Sequence, residues 1–293
     1  MTEGKLRFAL FGNEYQPRKS ASIRTLLTVL ATHQAEVFAE RTFFEFLQAE
    51  RGGDVLWKEA TRGLRVFDTL DFTPDYAISM GGDGTLLKTA DRVGSGNIPI
   101  IGVNTGRLGF LADVSPDEIE QFFQALYERR CFIEEHAVIS CAAGNALNDI
   151  AVLKRDNASM ITIHARVNGH SLVTYQADGL IVSTPTGSTA YNLSNGGPIM
   201  APHTGIFCLT PVAPHSLNLR PVVVNDDCVI ELTIESRTHN YLVAVDGRSS
   251  TQDEQTKVVI TKAPYHIRIV RRHEQSYFST LREKMMWGVD QRE

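Results

Sequence analysis

Apolar positions along the chain change their period once, near residue 131. Before that point, short apolar runs alternate with stretches of helical spacing. Residues 5–11 alternate as a strand, and Ile23, Leu26, Leu27 and Leu30 then recur at helical spacing within residues 20–33. The same reading predicts a helix over 41–50, a strand over 76–79, a helix over 85–93 and a strand over 98–103. Ser115, Pro116 and Glu118 form a capping box that opens a further helix running to about residue 130. Strands alternating with helices predict a parallel sheet that receives ligands at the carboxyl ends of its strands.

After Cys131 the segments become short and strand-like: 138–142, 149–153, 161–167, 171–175, 180–183, 207–210, 222–224, 229–234, 241–245, 258–261 and 266–270. Asn168-Gly169 between two of them is a two-residue hairpin signal. This density of strands predicts a second, mainly β domain. Helical spacing returns over 277–287. The expected fold is therefore α/β + β. Residues 1–131 form a parallel-sheet α/β domain, 132–271 a β-sandwich domain, and 272–293 return to the first.

Composition narrows the class without fixing a function. The 293 residues are 43% hydrophobic and 22% charged, ordinary values for globular domains. Apolar runs such as 99–103 are too short to span a bilayer, and residues 1–5 lack the basic and apolar parts of a signal peptide. A cytoplasmic protein is expected, with no membrane partner. Cys131, Cys141, Cys208 and Cys228 lack metal-ligand spacing and suggest no disulfide framework. A net charge of −5 argues against nucleic-acid binding. A phosphorylated ligand would then need local cations, for which Lys88, Arg107 and Arg248 are candidates.

The chemistry concentrates in two stretches. Met80-Gly81-Gly82-Asp83-Gly84-Thr85 joins a strand to a helix. Its glycines allow close approach of a ligand, and the amides opening the helix make a phosphate cradle. A carboxylate repels phosphate, so Asp83 fits a loop that also holds an attacking hydroxyl or a metal. The competing reading is a tight surface turn, since Gly and Asp are common turn residues. The loop matches neither a Walker motif nor a dinucleotide fingerprint, because Gly82-x-Gly84 is followed by Leu87 at the third position. A second glycine-bearing loop, residues 104–111, brings Arg107 and Phe110 to the same edge, although a phenylalanine in such a place is more often a core residue. Asn148-Asp149 reads by itself as a turn. Residues 178–192 run from Asp-Gly through an apolar strand into a Pro/Gly/Ser/Thr loop and a helix. There Ser188 or Thr189 caps the helix, or the exposed amides and hydroxyls bind a ligand, with Tyr191 offering a ring for stacking.

These motifs, in this order, resemble the NAD kinases. The resemblance rests on Gly-Gly-Asp-Gly, the Gly-x-Leu-Gly-Phe loop, Asn-Asp and the stretch from Asp178 to Tyr191, and includes Asn195-Gly196-Gly197-Pro198 and Pro214-His215-Ser216-Leu217. It covers about residues 76–282, while 1–75 match loosely. The Gly-Gly-Asp-Gly loop is shared with diacylglycerol and sphingosine kinases and with phosphofructokinases; the 178–191 stretch is specific to NAD kinases. The resemblance implies transfer of the terminal phosphoryl group of ATP to the 2′-hydroxyl of the adenosine ribose of NAD, with a divalent cation (Mg²⁺) and no protein ligand assigned to it. It implies Asp83 as the residue orienting or deprotonating that hydroxyl, with Gly82, Gly84 and Lys88 beside the nucleotide. Asn148 and Asp149 would bind ribose and adenine, Phe110 would lie near the base, and Asp178 would hold the far half of NAD. Thr186, Thr189, Ala190, Tyr191, Asn192 and Ser194 would contact the adenine and amide groups. Ala213 would contribute across a subunit boundary of a homodimer or homotetramer, and Asp246 matches an acidic position near the site. Three positions depart from the family pattern: Asp149 for glutamate, Gln176 for arginine and Arg248 for glutamine. A lipid kinase of the same superfamily and a non-catalytic NAD-binding regulatory module are the alternatives.

Overall fold

Apolar runs without polar alternation must be covered on both faces, and the first third of the chain meets that demand with a parallel sheet. The computed structural model describes residues 5–12, 20–49, 61–105, 109–156, 159–273 and 276–286. It divides into a unit of Met1–Glu134 with Ile267–Glu293 and a unit of Glu135–His266.

In the first unit the elements run β1 (Arg7–Gly12), α1 (Ser20–Thr32), β2 (Glu36–Glu40), α2 (Arg41–Ala49), β3 (Arg65–Phe67), β4 (Tyr76–Gly81), α3 (Asp83–Val93), β5 (Ile100–Asn104) and α4 (Ile119–Tyr127). The strand order is β3-β2-β1-β4-β5, every neighbour parallel. β1 therefore has β2 on one side and β4 on the other, the reversal of order at which open α/β sheets form a ligand crevice. The core joins Phe8, Leu10, Ile78, Met80, Ile101 and Val103 of the sheet to Leu26, Leu30, Phe122 and Phe123 of the helices. Glu118 accepts from both the amide (3.2 Å) and the hydroxyl (2.7 Å) of Ser115, as the capping box predicts. Pro116–Glu118 form a 3₁₀ turn, so the α-helix starts at Ile119, four residues after Ser115. β2 and β3 are not foreseen by the apolar pattern, since they are short and lie toward the sheet edge.

The second unit is antiparallel. Its strands are β6 (Cys131–Cys141) from Glu135 onward, β7 (Gly144–Ala146), β8 (Asp149–Lys154), β9 (Ile161–Val167), β10 (His170–Ala177), β11 (Gly179–Ser183), β12 (Ile206–Val212), β13 (Val222–Asn225), β14 (Ile230–Glu235), β15 (Asn240–Val245), β16 (Arg248–Asp253) and β17 (Val258–Arg272) as far as His266, with a short helix α5 (Tyr191–Ser194). One sheet runs β10-β9-β14-β17 and the other β13-β12-β11-β8-β15-β16. Ile163, Tyr175, Ile230 and Leu232 of the first share one core with Val152, Leu180, Val182, Leu209 and Val243 of the second. That is a sandwich. Asn168 and Gly169 take positive φ (50° and 78°) at the β9–β10 hairpin, as the two-residue turn requires.

Two details depart from the pattern reading. The strands expected at 258–261 and 266–270 are one strand, β17, which runs through Pro264. Its ladder with β14 ends at Ile260 and its pairing with β5 lies at Ile269, so the proline sits between those two ladders. β16 is polar throughout and exposed at nearly every position, which hid it from a search for apolar alternation. The closing helix α6 spans Tyr277–Met285, started by Ser276, whose hydroxyl accepts from the Ser279 amide. Residue 287, where the predicted helix ends, lies outside the described residues, as does residue 50 at the end of the second predicted helix. Among the described residues no helix is long and apolar enough to cross a membrane.

Candidate functional site

In the first unit, β4 ends in Gly81, Gly82 is the cap residue, and Asp83 opens α3. The Asp83 carboxylate binds backbone. Its Oδ2 accepts from the Phe110 amide (2.7 Å), and its Oδ1 accepts from the amides of Leu111 and Ala112 (both 3.0 Å). A carboxylate has about four lone-pair positions, so these bonds leave one open on Oδ2. Gly109 cannot carry a side chain, because a Cβ there would collide with Asp83 Oδ1. The carbonyls of the same loop are held from another side by Arg271 of β17, which donates to Leu111 O (3.1 Å) and Phe110 O (3.4 Å). Arg271 is buried and pairs with Asp113 (2.7 Å) and Glu134 (3.0 Å). Burial pushes the Asp113 carboxyl up, against the pull of Arg271. Loop 110–112 is thus fixed by an aspartate on its amides and an arginine on its carbonyls.

Gly84 and Lys88 are exposed on α3, and Lys88 lies about 140° round the helix from Asp83. Phe110 is half-buried, and its ring lies 5.0 Å from the Lys284 ammonium on α6. Arg107 falls outside the described residues. The sequence reading does not single out Asp113 and Arg271, whose one signal is charge placed beside apolar residues, or Lys284, which has no local signal.

The second unit repeats the device. Asp246 accepts from the amides of Leu147 (2.8 Å), Asn148 (2.8 Å) and Asp149 (3.1 Å). Asp246 (φ 45°) and Gly247 (φ 79°) form the tight β15–β16 turn that presents this carboxylate. Asp149 is only 6% exposed. Burial, helped by repulsion from Asp246, pushes its carboxyl up from 3.8 to about 7. Burial also raises Asp246, against the three amides that favour its charge. Asn148 Oδ1 is buried without a hydrogen-bond partner, and such an atom calls for a ligand or water group.

The 184–187 loop braces Asn148 from behind. Asn148 O accepts from the Thr184 amide (2.9 Å) and hydroxyl (3.2 Å), and the Gly187 amide donates to Thr184 Oγ1 (3.1 Å). A Cβ on Gly187 would strike the Asn148 carbonyl. Gly187→Ala is accordingly expected to lower the thermal midpoint by several degrees, since rigid backbone must move; an unchanged midpoint would refute this tight approach.

The remaining predicted residues divide by what they touch. Thr186 Oγ1 is 2.8 Å from His136 Nδ1. Thr189 and Ala190 are half-buried, Ser194 is exposed, and Tyr191 is 40% exposed and open to a stacking partner. Neither Ser188 nor Thr189 caps α5. The buried Ser188 hydroxyl instead donates to Pro185 O (2.7 Å) and accepts from the Met200 amide (3.0 Å). Asn192 is likewise taken up inside the fold, donating to Ser188 O and Pro198 O and accepting from Thr210 Oγ1 (2.6 Å). Asp178 pairs with Lys154 (2.7 Å). Lys154 and Gln176 line an open groove of about 800 Å³ with Glu235 and Arg237. Gln176 (β10) and Arg248 (β16) lie on different sheets, and Arg248 donates to Asn145 O (3.3 Å). Ala213 is exposed at φ 43°, a left-handed conformation that costs a non-glycine residue energy. Among the described residues no group of three or more His, Cys, Asp or Glu side chains could hold a metal ion.

Comparison with known proteins agrees along the whole chain. Residues 9–131 match the ATP-NAD kinase N-terminal domain and residues 147–272 the ATP-NAD kinase C-terminal domain. An NAD kinase of Bacteroides fragilis is 50% identical, over 98% of this chain and 100% of its own. One from Porphyromonas gingivalis is 43% identical, over 97% and 98%. A crystal structure of an NAD kinase from Archaeoglobus fulgidus in complex with ATP superposes with a TM-score of 0.75 at 27% identity, covering 96% of this chain and 99% of that one. Yeast NADH kinase complexed with NADH has the same fold, with a TM-score of 0.86 at 22% identity over 99% and 90%. The chain belongs to the ATP-NAD kinase family.

Proposed function

We propose that this protein transfers the terminal phosphoryl group of ATP to the 2′-hydroxyl of the adenosine ribose of NAD, releasing ADP and NADP. The observation that carries the reading is the Asp83 carboxylate, fixed by three amides with one lone pair left on Oδ2. An acceptor so placed orients a hydroxyl and takes its proton as the oxygen attacks the γ-phosphorus. Phosphoryl transfer asks the protein mainly for such positioning and for charge neutralisation. Gly82 and Gly84 give the phosphates their approach beside Asp83, and Lys88 adds a cation on α3. A divalent cation such as Mg²⁺, brought with the phosphates of ATP, would neutralise part of their charge.

The β-rich unit recognises the dinucleotide. Asn148 and Asp149 take the ribose and adenine; the unpartnered Asn148 Oδ1 supplies unmet hydrogen-bonding capacity there, and the Asp149 carboxyl is buried. Thr186, Thr189 and Tyr191 serve the adenine and amide groups, and Asp178 the far half of NAD. The enzyme works in the cytoplasm to supply NADP and assembles as a homodimer or homotetramer, with the exposed Ala213 turn at a subunit boundary. A monomer by light scattering at micromolar concentration would refute that assembly. Matches to both NAD kinase domains leave no observation favouring a lipid substrate or a non-catalytic module.

The direct test supplies ATP, Mg²⁺ and NAD to the purified protein and reads NADP with an NADP-specific dehydrogenase. NADP is expected in step with ATP consumed. Binding of NAD by calorimetry without product would replace the reading with that of an NAD-binding module. Failure of both binding and turnover would overturn it.

A further inference from the structure

We propose that Lys284 is a further catalytic residue, whose ammonium binds the transferred phosphoryl group beside Asp83; this rests on the phosphotransferase reading. The Lys284 Nζ is buried and has no hydrogen-bond partner. An ammonium carries three donors, and burying them unfilled is costly. Groups of this kind in native structures mark a missing ligand, ion or water. The surroundings say which. Asp83 of α3 and Asp113, just before α4, are the carboxylates that support its charge, Asp83 foremost; Arg271 of β17 opposes it, and Glu283 on its own helix supports it more weakly.

Neither nearby carboxylate bonds to the ammonium. Asp83 takes the amides of residues 110–112 and Asp113 Oδ2 takes Arg271, while Asp113 Oδ1 is, like the Lys284 Nζ, buried without a hydrogen-bond partner. The charge is therefore held next to the loop with its donors unused, within electrostatic reach of both carboxylates and hydrogen-bonded to neither. A phosphoryl group has the acceptor oxygens the ammonium lacks, and its negative charge would lift the burial penalty. The other cations suit this role less well. Lys88 is exposed on α3, and the Arg271 guanidinium is engaged by two carboxylates and two carbonyls. The half-buried Phe110 ring lies against the Lys284 ammonium at 5.0 Å.

Burial brings the Lys284 pKa down to about 8, against the support of Asp83 and Asp113. Since the charged form is the one that binds phosphate, kcat/KM for ATP should fall as pH rises through about 8, because kcat/KM reports the free enzyme. The test uses Lys284→Met and Lys284→Arg in the full chain. Lys284→Met is expected to lower kcat by about 10²–10³-fold, the usual cost of losing one preorganised donor. It should also weaken ATP binding by calorimetry, while NAD binding and the thermal midpoint stay near wild type. Lys284→Arg, which cannot lose its charge in this range, is expected to recover part of the rate and to abolish the alkaline limb.

A Lys284→Met protein with wild-type kcat would overturn the inference alone. So would a wild-type profile flat from pH 7 to 10, since the lysine would then be a structural charge. A wild-type protein that makes no NADP would fell the phosphotransferase reading, and this inference with it.

Discussion

Asp83→Asn is expected to reduce NADP formation by about 10³-fold while NAD still binds. Two losses combine. The carboxylate proposed to accept the ribose hydroxyl becomes an amide, and removing a positioned base costs about 10²–10⁴-fold. The same change disturbs the loop, because an asparagine has one acceptor oxygen where the aspartate has two. Wild-type Oδ2 takes the Phe110 amide and Oδ1 the amides of Leu111 and Ala112. In the variant an NH₂ group must face at least one backbone N–H, leaving that donor unsatisfied at a cost of about 1–3 kcal/mol. NAD binding survives, because its proposed contacts Asn148, Asp149 and Asp178 belong to the β-rich unit. Initial rates at saturating ATP and NAD, with calorimetry for NAD, make the measurement. Near-normal turnover in Asp83→Asn would end the role assigned to Asp83.

Asp83 also marks how far the sequence can be read. Its position at a strand–helix junction is legible, because the apolar run of β4 and the helical spacing of α3 are local patterns. Its hydrogen bonds are not, since they reach 27–29 residues along the chain to a loop that local pattern marks only by its glycines. Asp246 carries the same lesson at greater range. Only the fold brings that carboxylate to amides 97–99 residues earlier. Asn148-Asp149 therefore looks like an ordinary turn in the sequence and is a buried, braced element in the structure. β16 stayed hidden because a polar edge strand has no apolar period, and β17 divides in the sequence because its apolar run lapses over residues 262–265. Where an element is defined by its own side chains the sequence suffices. Where it is defined by what arrives from elsewhere, as with Lys284 against Phe110, no local signal exists.

The other large effect lies at Asp149, whose replacement by asparagine is expected to stabilise the ligand-free protein at pH 8 and to remove most activity. Most carboxylates in folded proteins are held below their unfolded pKa and lose their stabilisation in acid. Asp149 runs the other way, because burial and the neighbouring Asp246 raise it from 3.8 to about 7. Its folded form prefers the proton, so its contribution to stability is fully present below pH 3.8 and is lost as pH rises to about 7. Above that pH the charge is buried beside a second carboxylate, at a cost of a few kcal/mol, since each pKa unit is worth about 1.4 kcal/mol. Asparagine keeps the shape and lacks the charge. Its thermal midpoint should exceed wild type by several degrees at pH 8 and converge with it near pH 4, in line with about 2–4 °C per kcal/mol for a chain approaching this size. Asp246→Ala should do the opposite at every pH, because it frees the amides of Leu147, Asn148 and Asp149 from their acceptor. Melting curves of the three proteins between pH 4 and 8, paired with NADP formation at pH 7.5, test both. An Asp149→Asn curve parallel to wild type would show that the carboxylate is not under this load. A more stable and less active variant would mean that Asp149 is kept charged for the ribose hydroxyls it binds.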